Sequence, residues 1–288
     1  MVGQAGAERL PFDLRRRFQG GSSQSMRRRT TLTVLAAAAL CAVLPGEAAA
    51  ADGASTLTLG GKKCKLIEVP TAAPIGVGRC PGVRPGALVE TPVGFCTMNF
   101  LFRDGSGDRY IGTAGHCILN NNGERKWNPG AGPIAKDGQG RAIGRFRYAV
   151  LRGEKDFALI KLNQSGSNRA KPRMCHFGGP TGVDATRPRR TVTLQHYGQG
   201  IVTGNVTPAR TFVAKGMRDR DQVFAQGTAA PGDSGGPVTR RGSGRAVGLV
   251  VTLGGGPGIV GITRVPPQEA RAENVIGRRL EIVRAPQS

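Results

Sequence analysis

A serine hydroxyl stands in a glycine-rich turn late in the chain, Gly232-Asp233-Ser234-Gly235-Gly236-Pro237. Serine attacks a carbonyl when an imidazole takes its proton and a carboxylate orients that imidazole and stabilises its charged form. Imidazoles are scarce here: the 288 residues contain three histidines, His116, His176 and His196. All three precede Ser234. The possible catalytic sets are therefore few enough to sort by chain order.

The order serine, acid, histidine belongs to the G-x-S-x-G elbow of the α/β-hydrolases, and it fails because no histidine follows Ser234. The order acid, histidine, serine would draw on Asp52, Asp104 or Asp108, none of which has a strand-like, buriable setting. Histidine, acid, serine remains. His116 lies in Ile111-Gly112-Thr113-Ala114-Gly115-His116-Cys117, where small residues let the backbone pack close to the ring. Among the later carboxylates, Asp156 alone opens a clearly apolar run, Lys155-Asp156-Phe157-Ala158-Leu159-Ile160-Lys161-Leu162. The others lie in polar turns, except Asp233, which is locked beside the serine. His176 and His196 lack a comparable setting and have no metal-ligand spacing, so both read as ordinary polar residues. No cofactor or metal is expected.

Elements must hold these groups in place. Forty-five Gly, 19 Pro and few long amphipathic runs favour short strands and turns over helical bundles. Residues 88–165 alternate apolar runs with turn signals, as in Phe95–Phe102, the turn at 104–108, Tyr110–Gly112 and Phe157–Leu162. Residues 166–188 read as a polar connector. Strands resume over 189–288, at Thr191–Leu194, Gly248–Leu253 and Ile259–Val265, and Pro266-Pro267 suits the first turn of a short helix. Two comparable halves predict an all-β fold of two antiparallel barrels. Residues 52–87 read as an arm or short pro-segment with candidate strands at Leu57–Leu59 and Leu66–Val69.

Residues 1–51 read as an N-terminal extension and signal peptide, with Met26 as a second possible start. Met26-Arg27-Arg28-Arg29 is basic, Leu32–Leu44 is apolar and too short to span a bilayer, and small residues offer cleavage near Ala50. The predicted location is extracellular. Losing residues 1–51 removes seven Arg and three acids, a net +4, so the chain falls from +22 to +18. Its basic pairs are scattered and not interleaved with aromatics, which favours a solvated surface over a specific nucleic-acid site. Attraction to acidic polymers or cell surfaces remains open, and a monomer is expected. Five cysteines then remain: Cys64, Cys80, Cys96, Cys117 and Cys175.

Thr113-Ala114-Gly115-His116-Cys117, Asp156-Phe157-Ala158-Leu159-Ile160 and Gly232-Asp233-Ser234-Gly235-Gly236-Pro237 together resemble the three signature blocks of the chymotrypsin-like serine proteases, in that family's order. The resemblance runs from about Val93 to Val265. It looks closest to the bacterial branch of α-lytic protease and the streptogrisins. It implies two six-stranded barrels with the site between them and protein or peptide substrates. His116 becomes the general base and acid, Asp156 its orienting carboxylate and Ser234 the nucleophile. The N–H groups of Gly232 and Ser234 become the oxyanion hole. Cys96 is expected to pair with Cys117. Cys175 can bond Cys64 or Cys80, or Cys64 can pair with Cys80.

Two features depart from the family pattern: the arm over residues 52–87 is too short for the large folding pro-region of α-lytic protease, and the usual N-terminal partner of the aspartate before the serine is missing. No Ile-Val-Gly-Gly segment follows a cleavable Arg, so the resemblance to the bacterial branch implies that an internal Arg, which the sequence does not name, partners Asp233 instead. The position at the base of the primary specificity pocket is Thr228, where an acid would select Arg or Lys. The walls fall to Val251–Gly254 and Gly258–Gly261, which carry no charge, so apolar or small residues are the expected preference. The rival readings are a secreted binding protein on a protease fold and an esterase using the same triad.

Overall fold

Short segments with strongly apolar faces pair into two sheets. The computed structural model describes residues 80–288 apart from residues 202, 254, 255 and 257, together with four short strands before residue 80. Those strands form two hairpins, β1 (Thr56–Leu59) with β2 (Lys62–Lys65), and β3 (Ala72–Ala73) with β4 (Val77–Gly78). The signal peptide and the candidate strand at Leu66–Val69 lie outside the described residues.

The first sheet contains β5 (Leu88–Thr91), β6 (Gly94–Thr97), β7 (Leu101–Asp104), β8 (Arg109–Thr113), β9 (Gly123–Lys126), β10 (Ile134–Asp137), β11 (Ala142–Arg152) and β12 (Lys155–Leu162). A ninth strand, β19 (Leu280–Ile282), returns from far along the chain. The order is β19-β7-β8-β12-β11-β10-β5-β6, with β9 added on β11, and the sheet curls without closing. Phe100, Phe102, Phe146, Tyr148 and Phe157 are sealed inside it. The predicted turn at 104–108 owes its shape to Asp104. That carboxylate accepts the N–H groups of Ser106 and Asp108, the Ser106 hydroxyl and the Tyr110 hydroxyl. Burial works against its ionisation, but these donors outweigh burial and hold it below the usual carboxylate range.

The second sheet is a closed six-stranded barrel. It comprises β13 (Thr193–Tyr197), β14 (Ala209–Met217), β15 (Gln222–Gln226), β16 (Pro237–Arg240), β17 (Ala246–Leu253) and β18 (Ile259–Arg264). Leu194, Phe212, Val223, Val238, Val260 and Ile262 fill it. The fold is thus all-β with two antiparallel halves, one closed and one curled. The seam between them is β17, which explains its unbroken apolar run. Ala246, Leu249 and Val251 pack into the first core, whereas Val247 and Val250 pack into the second. A strand covered on both faces has no solvent side to mark with polar residues.

The helix predicted after Arg264 forms as α1 (Val265–Ile276), with its prolines in the first turn and Gly277 closing it in the left-handed region. Val265, Ala272 and Ile276 pack it onto the first core. Leu280 and Ile282 then pair with Asp104 and Phe102 on β7. Two disulfides form, Cys96–Cys117 as expected and Cys80–Cys175 from among the open pairings. Among the described residues no helix is long and apolar enough to cross a membrane.

Candidate active site

His116 sits in a single 3-10 turn, Gly115–Cys117, directly after β8. Gly115 permits this turn, because a Cβ there would lie 1.9 Å from the Val150 carbonyl oxygen. Asp156 opens β12, as its apolar run predicts, and is buried. Its Oδ1 accepts the His116 backbone N–H at 3.0 Å and its Oδ2 pairs with His116 Nδ1 at 2.6 Å. The two bonds together fix both ring position and tautomer: Nδ1 faces the carboxylate and Nε2 is left for other chemistry. The His116 side chain keeps 32% exposure, against 7% for Asp156. Burial opposes charging the imidazole, but the hydrogen bond and charge of Asp156 prevail and raise its proton affinity.

The Ser234 turn is bolted to the strand ends that carry His116. The Thr97 N–H donates to the Ser234 carbonyl at 2.8 Å and the Thr97 hydroxyl donates to the Gly232 carbonyl at 2.7 Å. Thr97 follows Cys96, whose disulfide reaches Cys117 next to His116. Gly235 lies where a Cβ would strike Thr113 Oγ1, the Thr97 carbonyl and Ala114 N within 2.7 Å. Among the described residues no hydrogen bond joins Ser234 Oγ to His116, a contact that is often long in resting enzymes.

Within the turn, the N–H groups of Asp233, Gly235 and Gly236 are satisfied by Ala230, Val250 and Asp233 carbonyls. Those of Gly232 and Ser234 have no acceptor among the described residues, which leaves two adjacent donors free to meet a developing oxyanion. Gly232 adopts φ +98°, a conformation open to glycine at little cost.

The partner of Asp233 is an internal arginine, the alternative left open above, at a position the sequence did not name. The Arg210 guanidinium on β14 grips it with two bonds, at 2.7 Å and 2.5 Å. The N–H groups of Gly200 and Ala230 add bonds of 2.8 Å each. Burial works against this charge, but the Arg210 guanidinium and the backbone donors hold the carboxyl well below the usual range. His196, set aside as an ordinary polar residue, is completely buried beside Asp233; His176 is exposed. Arg210 carried no signal because it is 23 residues from its partner and looks like any surface arginine of a basic chain.

Thr228 is exposed, and the Gly227 N–H beside it donates to the Gly258 carbonyl at 2.8 Å, joining the candidate base of the pocket to one candidate wall. Val251 is buried, while Thr252 and Leu253 face solvent. Residues 254, 255 and 257 lie outside the described residues. No charged side chain belongs to the described part of this group. The clustered Cys96, His116 and Cys117 offer no metal site, since both thiols are consumed in the disulfide.

No curated protein sequence matches the chain. Among solved structures, Thermobifida fusca protease A superposes with a TM-score of 0.50 at 16% identity, over 70% of this chain and 98% of that one. Nocardiopsis protease superposes with a TM-score of 0.48 at 19% identity, over 70% and 98%. At these identities the likeness is one of fold. The profile of the trypsin-like peptidase domain matches residues 99–249, a span that includes His116, Asp156 and Ser234. That match covers just over half of the 288 residues, and the chain belongs to the trypsin-like peptidase family.

Proposed function

We propose that the protein is a secreted serine endopeptidase acting through Ser234, His116 and Asp156 and an acyl-enzyme intermediate. The observation that carries this reading is the 2.6 Å Asp156–His116 pair standing beside a serine turn with two unengaged N–H donors. His116 Nε2 takes the Ser234 proton as Oγ attacks the scissile carbonyl. The resulting imidazolium is stabilised by Asp156, and the oxyanion is met by the Gly232 and Ser234 N–H groups. His116 then returns the proton to the departing amine, and water repeats the sequence on the acyl-enzyme. Peptides and proteins are the substrates, with an apolar or small residue before the cleaved bond, in keeping with uncharged Thr228 and Val251–Leu253. Two disulfides suit an oxidising compartment outside the cell.

An organophosphonate probe tests the reading directly. Stoichiometric labelling of Ser234, lost in Ser234→Ala, is the expected outcome, and an unlabelled native enzyme would overturn it. Casein hydrolysis set against ester hydrolysis separates a peptidase from an esterase. Cleavage confined to Arg or Lys sites would overturn the specificity.

A further inference from the structure

Beneath the Ser234 turn lies a histidine that neither the triad nor the Arg210 fork uses. His196 is fully buried on β13, its ring stacked on Phe212 with centroids 5.2 Å apart. Nδ1 lies 3.0 Å from the Pro237 carbonyl, so this nitrogen carries a proton. Nε2 faces Asp233 Oδ1 at 3.5 Å and has no hydrogen-bond partner. The ring also occupies the space that side chains at two glycines would need: a Cβ at Gly198 would lie 2.4 Å from Nε2, and one at Gly236 2.5 Å from Cε1. It is therefore wedged between the 198–200 segment, which feeds an N–H to Asp233, and the turn that holds the nucleophile.

The charged groups facing this ring are Asp233 from the turn and Arg210 from β14. Phe212 on β14 and Pro237 on β16 present only a ring and a carbonyl. With a neutral imidazole, Arg210 and Asp233 cancel and the buried cluster carries no net charge. A proton added at Nε2 puts a second cation beside Arg210, where water cannot solvate it. It also creates a new donor aimed at Asp233 Oδ1, the atom already committed to Gly200 N–H and Arg210.

We propose that His196 is a positioning residue for the oxyanion hole, holding the Gly232–Ser234 turn in its open-donor form while neutral and releasing it when a second proton arrives. Protonation draws Oδ1 toward Nε2 and away from Gly200, and the turn follows its aspartate. Full burial, seconded by Arg210, keeps the imidazole below its ordinary proton affinity despite the pull of Asp233, so the release lies on the acid side. This inference rests on the reading of Ser234 as nucleophile with the two N–H groups as its hole.

The test follows the rate of phosphonate labelling on lowering pH. The wild type should lose labelling first with a one-proton slope as His116 charges, then with a two-proton slope as His196 charges. His196→Asn keeps a donor for the Pro237 carbonyl but does not titrate, and it should show a one-proton slope throughout. It should also label more slowly at pH 8, through kcat rather than KM on a peptide ester. His196→Gln serves equally if the first variant fails to fold. Histidine NMR signals of the Ser234→Ala protein should report His196 gaining its proton where the second slope begins. A one-proton slope in the wild type, a two-proton slope surviving in the variants, or circular dichroism showing unfolding over the same range overturns the proposal. Absence of labelling at every pH instead overturns the peptidase reading itself.

Discussion

Turn carboxylates in the two halves of the molecule are satisfied in different ways. In the curled sheet, Asp104 and Asp137 take most of their bonds from residues within four positions in sequence, Ser106, Asp108, Gln139 and Arg141, with Tyr110 and Arg169 each adding one. These acids shape turns, and the aromatic core around Phe102 and Phe157 does the rest. In the closed barrel, Asp233 draws its charge partner Arg210 and the Gly200 N–H from 23 and 33 residues away, with only the Ala230 N–H close by, and its turn carries the candidate nucleophile. Local satisfaction makes a rigid corner, whereas distant satisfaction makes the geometry of the turn depend on the whole barrel. The turn of the candidate serine therefore hangs on a polar network that spans the barrel, whereas the candidate histidine and aspartate hold each other by two bonds between strands that the aromatic core has already packed.

That contrast is tested hardest by removing the reacting groups themselves. Ser234→Ala should lower kcat by about 10⁶ and Asp156→Asn by about 10⁴, the second through the wrong imidazole tautomer, both measured on a chromogenic peptide. Equal losses would erase the distinction between a reacting group and an orienting one. Arg210→Met comes next. It strands a buried carboxylate and should cost about 3–5 kcal/mol of stability in urea unfolding. Its activity should fall further than the folded fraction does, whereas Phe157→Leu should lose activity only in step with unfolding. Replacing Cys96 and Cys117 together by Ala should cost roughly 3 kcal/mol, the loop-closure value for a ring of this length. Arg103→Ala, at an exposed pair with Glu281, should change the melting midpoint by less than about 1 kcal/mol of stability.

Acidity probes the same difference without mutation. The folded-state affinity of Asp233 for protons is depressed, so its stabilisation is complete above the ordinary aspartate value and drains as pH falls below it. The affinity of His116 is raised, so the stabilisation from its pair with Asp156 is present below the ordinary histidine value and is lost as pH rises through the raised one. Activity needs the neutral imidazole and runs the other way. Stability and turnover should therefore diverge across the neutral range, and parallel profiles would contradict the pairing.

How much of this was legible beforehand follows from range. His116, Asp156 and Ser234 stand in blocks whose local residues state their roles, and Asp156 does open the strand its apolar run predicts. The α1 start was marked by Pro266-Pro267. The partner of Asp233 was invisible because an arginine's role is set by what folds over it, and this chain is full of arginines. His196 was misread for a similar reason: nothing around Leu194-Gln195-His196-Tyr197 signals that its ring is sealed under Asp233. The apolar run Phe95–Phe102 is unbroken in sequence, whereas β6 and β7 are separate strands, and between them the Asn99 side chain accepts from the Phe100 N–H.

β19 has a consequence for the order in which the protein can be made. This strand completes the edge of the first sheet at β7, yet it follows the entire barrel in the sequence. As the chain emerges, the half that bears His116 therefore waits, with β7 unpaired on that side, until the half that bears Ser234 has been synthesised. The barrel needs no such contribution, because its six strands close on themselves. A chain built this way finishes the half that holds His116 only after the half that holds Ser234 has been made.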